Sequence, residues 1–160
     1  MTEHDDHQAK VAELLKEHRF AMFTTIDEQG QLVGRPFTVQ EREFDGDLWF
    51  IVALDSPAVR QLRGDHRVGV TFSKNGSWLS LTGTAAVVDD HAKLEELWSA
   101  GVEAWFPDGP SDPNAGLVRF EAAGAEYWDS PGGGISTVFS FVKSKVTGER
   151  MEGDNAKVDL

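Results

Sequence analysis

Apolar residues along the chain recur first at helical and then at alternating spacing, and the change falls at Phe20. Val11, Leu14 and Leu15 make an i, i+3, i+4 stripe that predicts a helix over residues 6–17. Residues 21–26 and 32–40 then read as strands joined by the turn Asp27-Glu28-Gln29-Gly30. Asp45-Gly46 signals a type I′ turn, followed by a continuously apolar strand over 48–54. Ser56-Pro57 supplies the N-cap and first-turn proline of a short helix ending near Arg63. Strands over 68–73 and 78–88 flank the turn Asn75-Gly76, and Gly83 marks a bulge or close backbone approach in the second.

Asp90 caps a helix that ends near Ala100, with Gly101 as its stop. Residues 102–115 read as an irregular loop carrying Trp105-Phe106-Pro107, and loops of that length are usually functional or disordered; the large apolar groups argue against disorder. Residues 116–122 and 125–129 read as a last hairpin turning at Gly124, closed by Pro131-Gly132-Gly133-Gly134. A loop between strand and helix explains that glycine run more simply than a phosphate cradle does. Ile135, Val138, Phe139, Val142 and Val146 keep helical spacing up to Gly148, predicting a final helix with an apolar face to pack on the barrel or a second subunit. The polar tail, residues 149–160, is expected to fray. The hairpin series predicts a mostly β (α+β) antiparallel barrel with covering helices, one domain over residues 1–160 with its core over about 11–148.

Composition narrows the function. A hydrophobic fraction of 40%, with five Trp and ten Phe, sustains a core, and the absence of cysteine excludes disulfides and thiolate metal sites. The net charge of -12 speaks against nucleic acid and anionic membranes as partners. No run of about 18 apolar residues spans a bilayer, and the opening Met1-Thr2-Glu3-His4 lacks a signal-peptide core, so the expected compartment is the cytoplasm. The charge is uneven. Residues 31–74 carry six cations (Arg35, Arg42, Arg60, Arg63, Arg67, Lys74) against six acids (Glu41, Glu43, Asp45, Asp47, Asp55, Asp65). Cations for a phosphorylated ligand, if not merely surface residues, lie in this neutral stretch. The five histidines form no H-E-x-x-H pair, and no metal site is expected. The chain also lacks a G-x-S-x-G elbow, a G-x-x-x-x-G-K-[ST] loop and a G-x-G-x-x-G turn.

The ordered segments Gly34-Arg35-Pro36-Phe37, Asp47-Leu48-Trp49-Phe50-Ile51 and Asp55-Ser56-Pro57-Ala58 resemble the flavin-binding split-barrel superfamily typified by pyridoxamine 5′-phosphate oxidase. Ala104-Trp105-Phe106-Pro107-Asp108-Gly109 followed by Glu126-Tyr127-Trp128-Asp129 resembles its general stress protein 26 branch. The resemblance implies a six-stranded antiparallel split β-barrel and a homodimer with two FMN sites at the subunit interface. It implies Arg35, beside Pro36, and Ser56 at the FMN phosphate, with Trp49, Phe50, Ile51 and Val52 beside the flavin and Trp78 against its ring; Trp49 and Phe50, with Trp98, read alternatively as core. The sequence departs from the oxidase at Gln40, Pro57 and Ala58, where the oxidase has basic residues, so pyridoxamine phosphate oxidation is not implied; Lys74 or Arg60 is the candidate substitute. Arg35 has a rival role in an ion pair with Glu41 or Asp47, and Ser56 in capping its helix. Trp105 and Phe106 either wall the flavin or plug the barrel end or dimer seam. Tyr127 and Trp128 project to opposite faces of a strand. The functions in view are an FMN-binding stress protein, as an enzyme passing hydride from a nicotinamide through the flavin to a small acceptor; a non-enzymatic dimer with loose or no flavin; and a deazaflavin-dependent reductase.

Overall fold

A computed structural model describes residues 3–40, 44–129 and 154–160. Helix α1 (Glu3–Glu17) leads into β1 (Phe20–Ile26), and β2 (Leu32–Thr38) returns beside it. Asp27 fixes that turn: its carboxylate accepts from the backbone N–H of Gln29 and of Gln31, and Gly30 supplies the φ of +78°. Next come β3 (Asp47–Ala53), α2 (Pro57–Gly64), β4 (Arg67–Lys74) and β5 (Ser77–Val88). Asn75 and Gly76, at φ 51° and 84°, make the tight β4–β5 connection that the sequence predicts. Helices α3 (His91–Leu97) and α4 (Ala100–Glu103), a 3₁₀ turn (Gly109–Ser111), β6 (Ala115–Asp129) and β7 (Asp154–Asp159) complete the described chain.

The strands form one antiparallel sheet in the order β2-β1-β4-β5-β6-β3, with β7 also on β6. The sheet curls without closing. Strands β2 and β3 are consecutive in sequence but end up as its two edges, so Asp45-Gly46 turns the chain between strands that do not pair. Among the described residues one backbone bond crosses this split, Gln40 N–H to the carbonyl of Trp49 at 3.2 Å. Side chains do the rest: Phe23 (β1), Phe37 (β2) and Phe50 (β3) have ring centroids 5.0, 5.1 and 5.9 Å apart. Val11 and Leu14 of α1 pack into the same core.

Several sequence expectations are corrected. Residues 116–129 are not a hairpin but part of one strand; Gly124 pairs with Thr82 and with Asp159 instead of turning. The register slips beside Gly83, as expected, leaving Ala123 as the extra residue of a bulge. The bulge falls where one edge of β6 exchanges partners, from β3 over residues 115–121 to β7 over 124–129. Its backbone groups stay paired: Ala122 N–H donates to Gly46 and the Ala123 carbonyl accepts from Leu160 N–H. The tail is therefore not frayed at its end, because Val158 enters the core at 2% exposure. With β7 the sheet has seven strands rather than six. The helix capped by Asp90 stops at Leu97, where Trp98 turns extended, and Gly101 sits inside α4 rather than ending a helix. The expected loop at 102–115 is folded: Val102 and Phe106 join Leu94, Leu97, Ala115 and Leu117 in a second core on the outer face of β3 and β6. The expected final helix over 135–147 and the glycine run before it lie outside the described residues.

Candidate functional site

A groove of about 1240 Å³ opens along the split, lined by β2, β3, the start of α2 and the α3–α4 segment. Its position follows from topology: the two edge strands leave a gap, and α3 and α4 roof it. Because β3 is an edge strand, the groove reaches residues on both its faces, Ile51 and Val52 alike.

Of the residues singled out in the sequence, Arg35, Pro36, Ile51, Val52, Ser56 and Trp105 line this groove. Alternation in β2 keeps Arg35 half-buried beside Thr25 and α2. Its guanidinium donates to Thr25 Oγ1 at 2.7 Å, Gln61 Oε1 at 2.8 Å and the Phe23 carbonyl at 3.3 Å. Burial lowers the pKa of this guanidinium. The rival ion pair with Asp47 does not form, since Asp47 is held by Arg119 at 2.8 Å, and Glu41 lies outside the described residues. Ser56 caps α2, accepting from Val59 N–H at 3.4 Å, while also facing the groove. Helix α2 thus aims its N-terminus at the groove and carries Gln61, which meets Arg35, one turn on. Trp105 is 83% exposed on the rim, whereas Phe106 is buried against Trp98 in the second core. Phe106 nonetheless borders the groove as well, so it serves the core and the groove wall together, and Trp105 serves the rim alone.

Five residues lie elsewhere. Phe50 is wholly buried in the core because even positions of β3 face inward. Trp49 faces out, with the Lys93 ammonium 4.9 Å from its ring centroid. Lys74 donates to the Glu17 carbonyl at 3.1 Å, far from the phosphate role considered for it. Arg60 is held by Glu28 at 3.0 Å and does not line the groove. Trp78 lines a second hollow of about 510 Å³ on the outer sheet face, with Phe20, Met22, Pro36 and Trp128. Tyr127 and Trp128 do point oppositely, at 2% and 40% exposure. Gln40, Pro57 and Ala58, the departures from the oxidase pattern, all line the groove and bring no charge to it. Among the described cations of residues 31–74 only Arg35 lines the groove, joined by Arg19, which sequence reasoning missed because it sits at the junction of α1 and β1. Gln61 was missed too.

Comparison with known proteins adds the following. Residues 6–152 match the family model described as pyridoxamine 5′-phosphate oxidase like. The chain is 28% identical over 151 residues to the protein bli-3 of Neurospora crassa, covering 87% of this chain and 72% of that one. A Jannaschia sp. CCS1 crystal structure described as general stress protein 26 superposes with a TM-score of 0.78 at 28% identity, over 98% of this chain and 99% of that one. A general stress FMN/FAD binding protein from Xanthomonas citri superposes with a TM-score of 0.67 at 32% identity, over 78% and 89%. Among the described residues no helix is long and apolar enough to cross a membrane.

Proposed function

This chain belongs to the pyridoxamine 5′-phosphate oxidase-like family, and on that premise we propose that its groove binds a flavin, FMN, in a homodimeric stress-response protein. One observation carries the reading: the groove brings together Arg35, the Ser56 hydroxyl and the N-terminus of α2, a donor set suited to a phosphate. Ile51, Val52 and Trp105 supply apolar surface for the ring system. The Xanthomonas citri relative, named for FMN/FAD binding, supports the same ligand class.

Bound there, the flavin supplies a two-electron acceptor for hydride from a reduced nicotinamide. The chain's own work is positional: Arg35 and Ser56 anchor the phosphoryl end, and the α3–α4 roof shields the groove from water. With Gln40, Pro57 and Ala58 contributing no cation, the anchor depends on few charges. Equilibrium titration followed by flavin fluorescence tests it. Arg35→Ala is expected to weaken FMN binding about tenfold to a hundredfold, from roughly 1.5–3 kcal/mol per charged hydrogen bond, and to leave riboflavin binding unchanged. Wild-type protein that takes up no added FMN, or an unchanged affinity in the variant, sinks the reading.

The dimer is argued from the second hollow, whose Phe20, Met22, Trp78 and Trp128 are 71%, 45%, 45% and 40% exposed. It shares Phe20 and Pro36 with the groove, so a second copy seated there meets the flavin site at its edge. Sedimentation should show a dimer for the wild type and a monomer for Trp78→Glu. A wild type monomeric at micromolar concentration refutes this arrangement.

A further inference from the structure

We propose that Gln61 and Thr25 form a neutral cradle that orients Arg35 without cancelling its charge, so that the groove discriminates a phosphorylated ligand from its dephosphorylated counterpart. The proposal rests on the reading of the groove as a flavin-phosphate site. It assigns Gln61 as a positioning residue, since Gln61 touches Arg35 but does not line the groove.

A guanidinium only donates, so each partner of Arg35 must present an acceptor, and here all are oxygens. Thr25 Oγ1 accepts from Arg35 at 2.7 Å and its own proton goes to Gln61 Oε1 at 2.6 Å. Gln61 Oε1 accepts in turn from Arg35 at 2.8 Å, which closes a ring of three side chains. Thr25 is fully buried and Gln61 is 8% exposed, so these two members of the ring are shut off from water behind the groove, while Arg35 borders it. None of its acceptors is ionised.

Three other arginines of the described residues are paired with carboxylates instead. Arg60 meets Glu28 at 3.0 Å, Arg67 meets Asp65 at 2.6 Å, and Arg119 meets Asp47 and Glu121 at 2.8 and 3.1 Å. Among the contacts of the described residues, Arg35 meets carbonyl and hydroxyl oxygens and no carboxylate. Burial disfavours its charge, and the cradle answers with hydrogen bonds but with no opposite charge. A phosphate dianion entering the groove becomes the missing counter-ion, to a guanidinium already held in place. Glutamine is the residue for this task because glutamate, with the same reach, would satisfy the guanidinium permanently.

The test compares FMN and riboflavin affinities in wild type, Gln61→Glu, Gln61→Met and Arg35→Ala. Gln61→Glu is expected to lower FMN affinity at least tenfold, with riboflavin affinity and melting temperature unchanged or raised. Gln61→Met, which keeps bulk but removes the oxygen, is expected to lower FMN affinity about threefold and remains informative if the glutamate variant does not fold. A merely structural glutamine would move stability and leave the FMN-to-riboflavin ratio alone. If wild type binds FMN and Arg35→Ala loses it while both Gln61 variants keep the wild-type ratio, the cradle is overturned and the groove assignment stands. Wild type that binds no FMN overturns both.

Discussion

Phe50→Ala should destabilise the fold by about 3–5 kcal/mol, among the largest losses any single substitution in this chain will show. Phe50 is wholly buried, and its ring meets Phe23 edge-on at 5.1 Å and Phe37 at 5.9 Å. Those contacts do more than fill volume. Strands β2 and β3 carry Phe37 and Phe50 but are not paired, and among the described residues these rings join them across the split beside the Gln40–Trp49 bond. Removing one leaves a cavity where no neighbouring ladder can pull the edges together, so little collapse offsets the loss. Urea denaturation should show the drop in midpoint, and thermal melting a fall of roughly 6–20 °C for a domain of this size. FMN affinity should fall as well, because the groove's two walls are the strands being released. A loss under about 1 kcal/mol would show that the split does not depend on this cluster.

The same split explains what the sequence made legible. Elements set by local chemistry were readable: the Asp27 turn, the Asn75-Gly76 turn and the Ser56 cap each depend on residues within a few positions. Pairings set by distant partners were not. Glycine at 124 signals a turn, yet the neighbouring bulge and β7 keep β6 straight through it. Strand β7 reads as a polar tail because Val158 is its one strongly apolar residue, and an edge strand needs little more. At the site, the family resemblance placed Arg35 and Ser56 in one groove, which residue patterns alone did not. Strand alternation already forbade Trp49 through Val52 from facing one ligand together, and Phe50 took the core side. Gln61 did leave a trace: it occupies the buried face of α2 with Ala58, Val59 and Leu62, where a polar residue needs a partner.

Gly83→Ala should cost about 3 kcal/mol, at the upper end of overpacking, although it adds one methyl group. A Cβ built at Gly83 falls 2.0 Å from the backbone carbonyl oxygen of Glu121 and 3.1 Å from Ala122 Cα. The obstacle is main chain, so no rotamer change relieves it; β5 and β6 must part. They would part at the bulge, where β6 leaves β3 for β7 and where Ala122 and Ala123 hold Gly46 and Leu160. Displacing that point strains both partners of β6 at once, including the edge strand that walls the groove. Gly69→Ala in β4 is the matched control, because nothing lies within 4 Å of its added Cβ. That variant should change stability little, since alanine fits an open strand position, and the two should differ by more than 2 kcal/mol in urea denaturation. Equal stability of the two variants would mean that the close approach at the bulge is not a constraint on the fold.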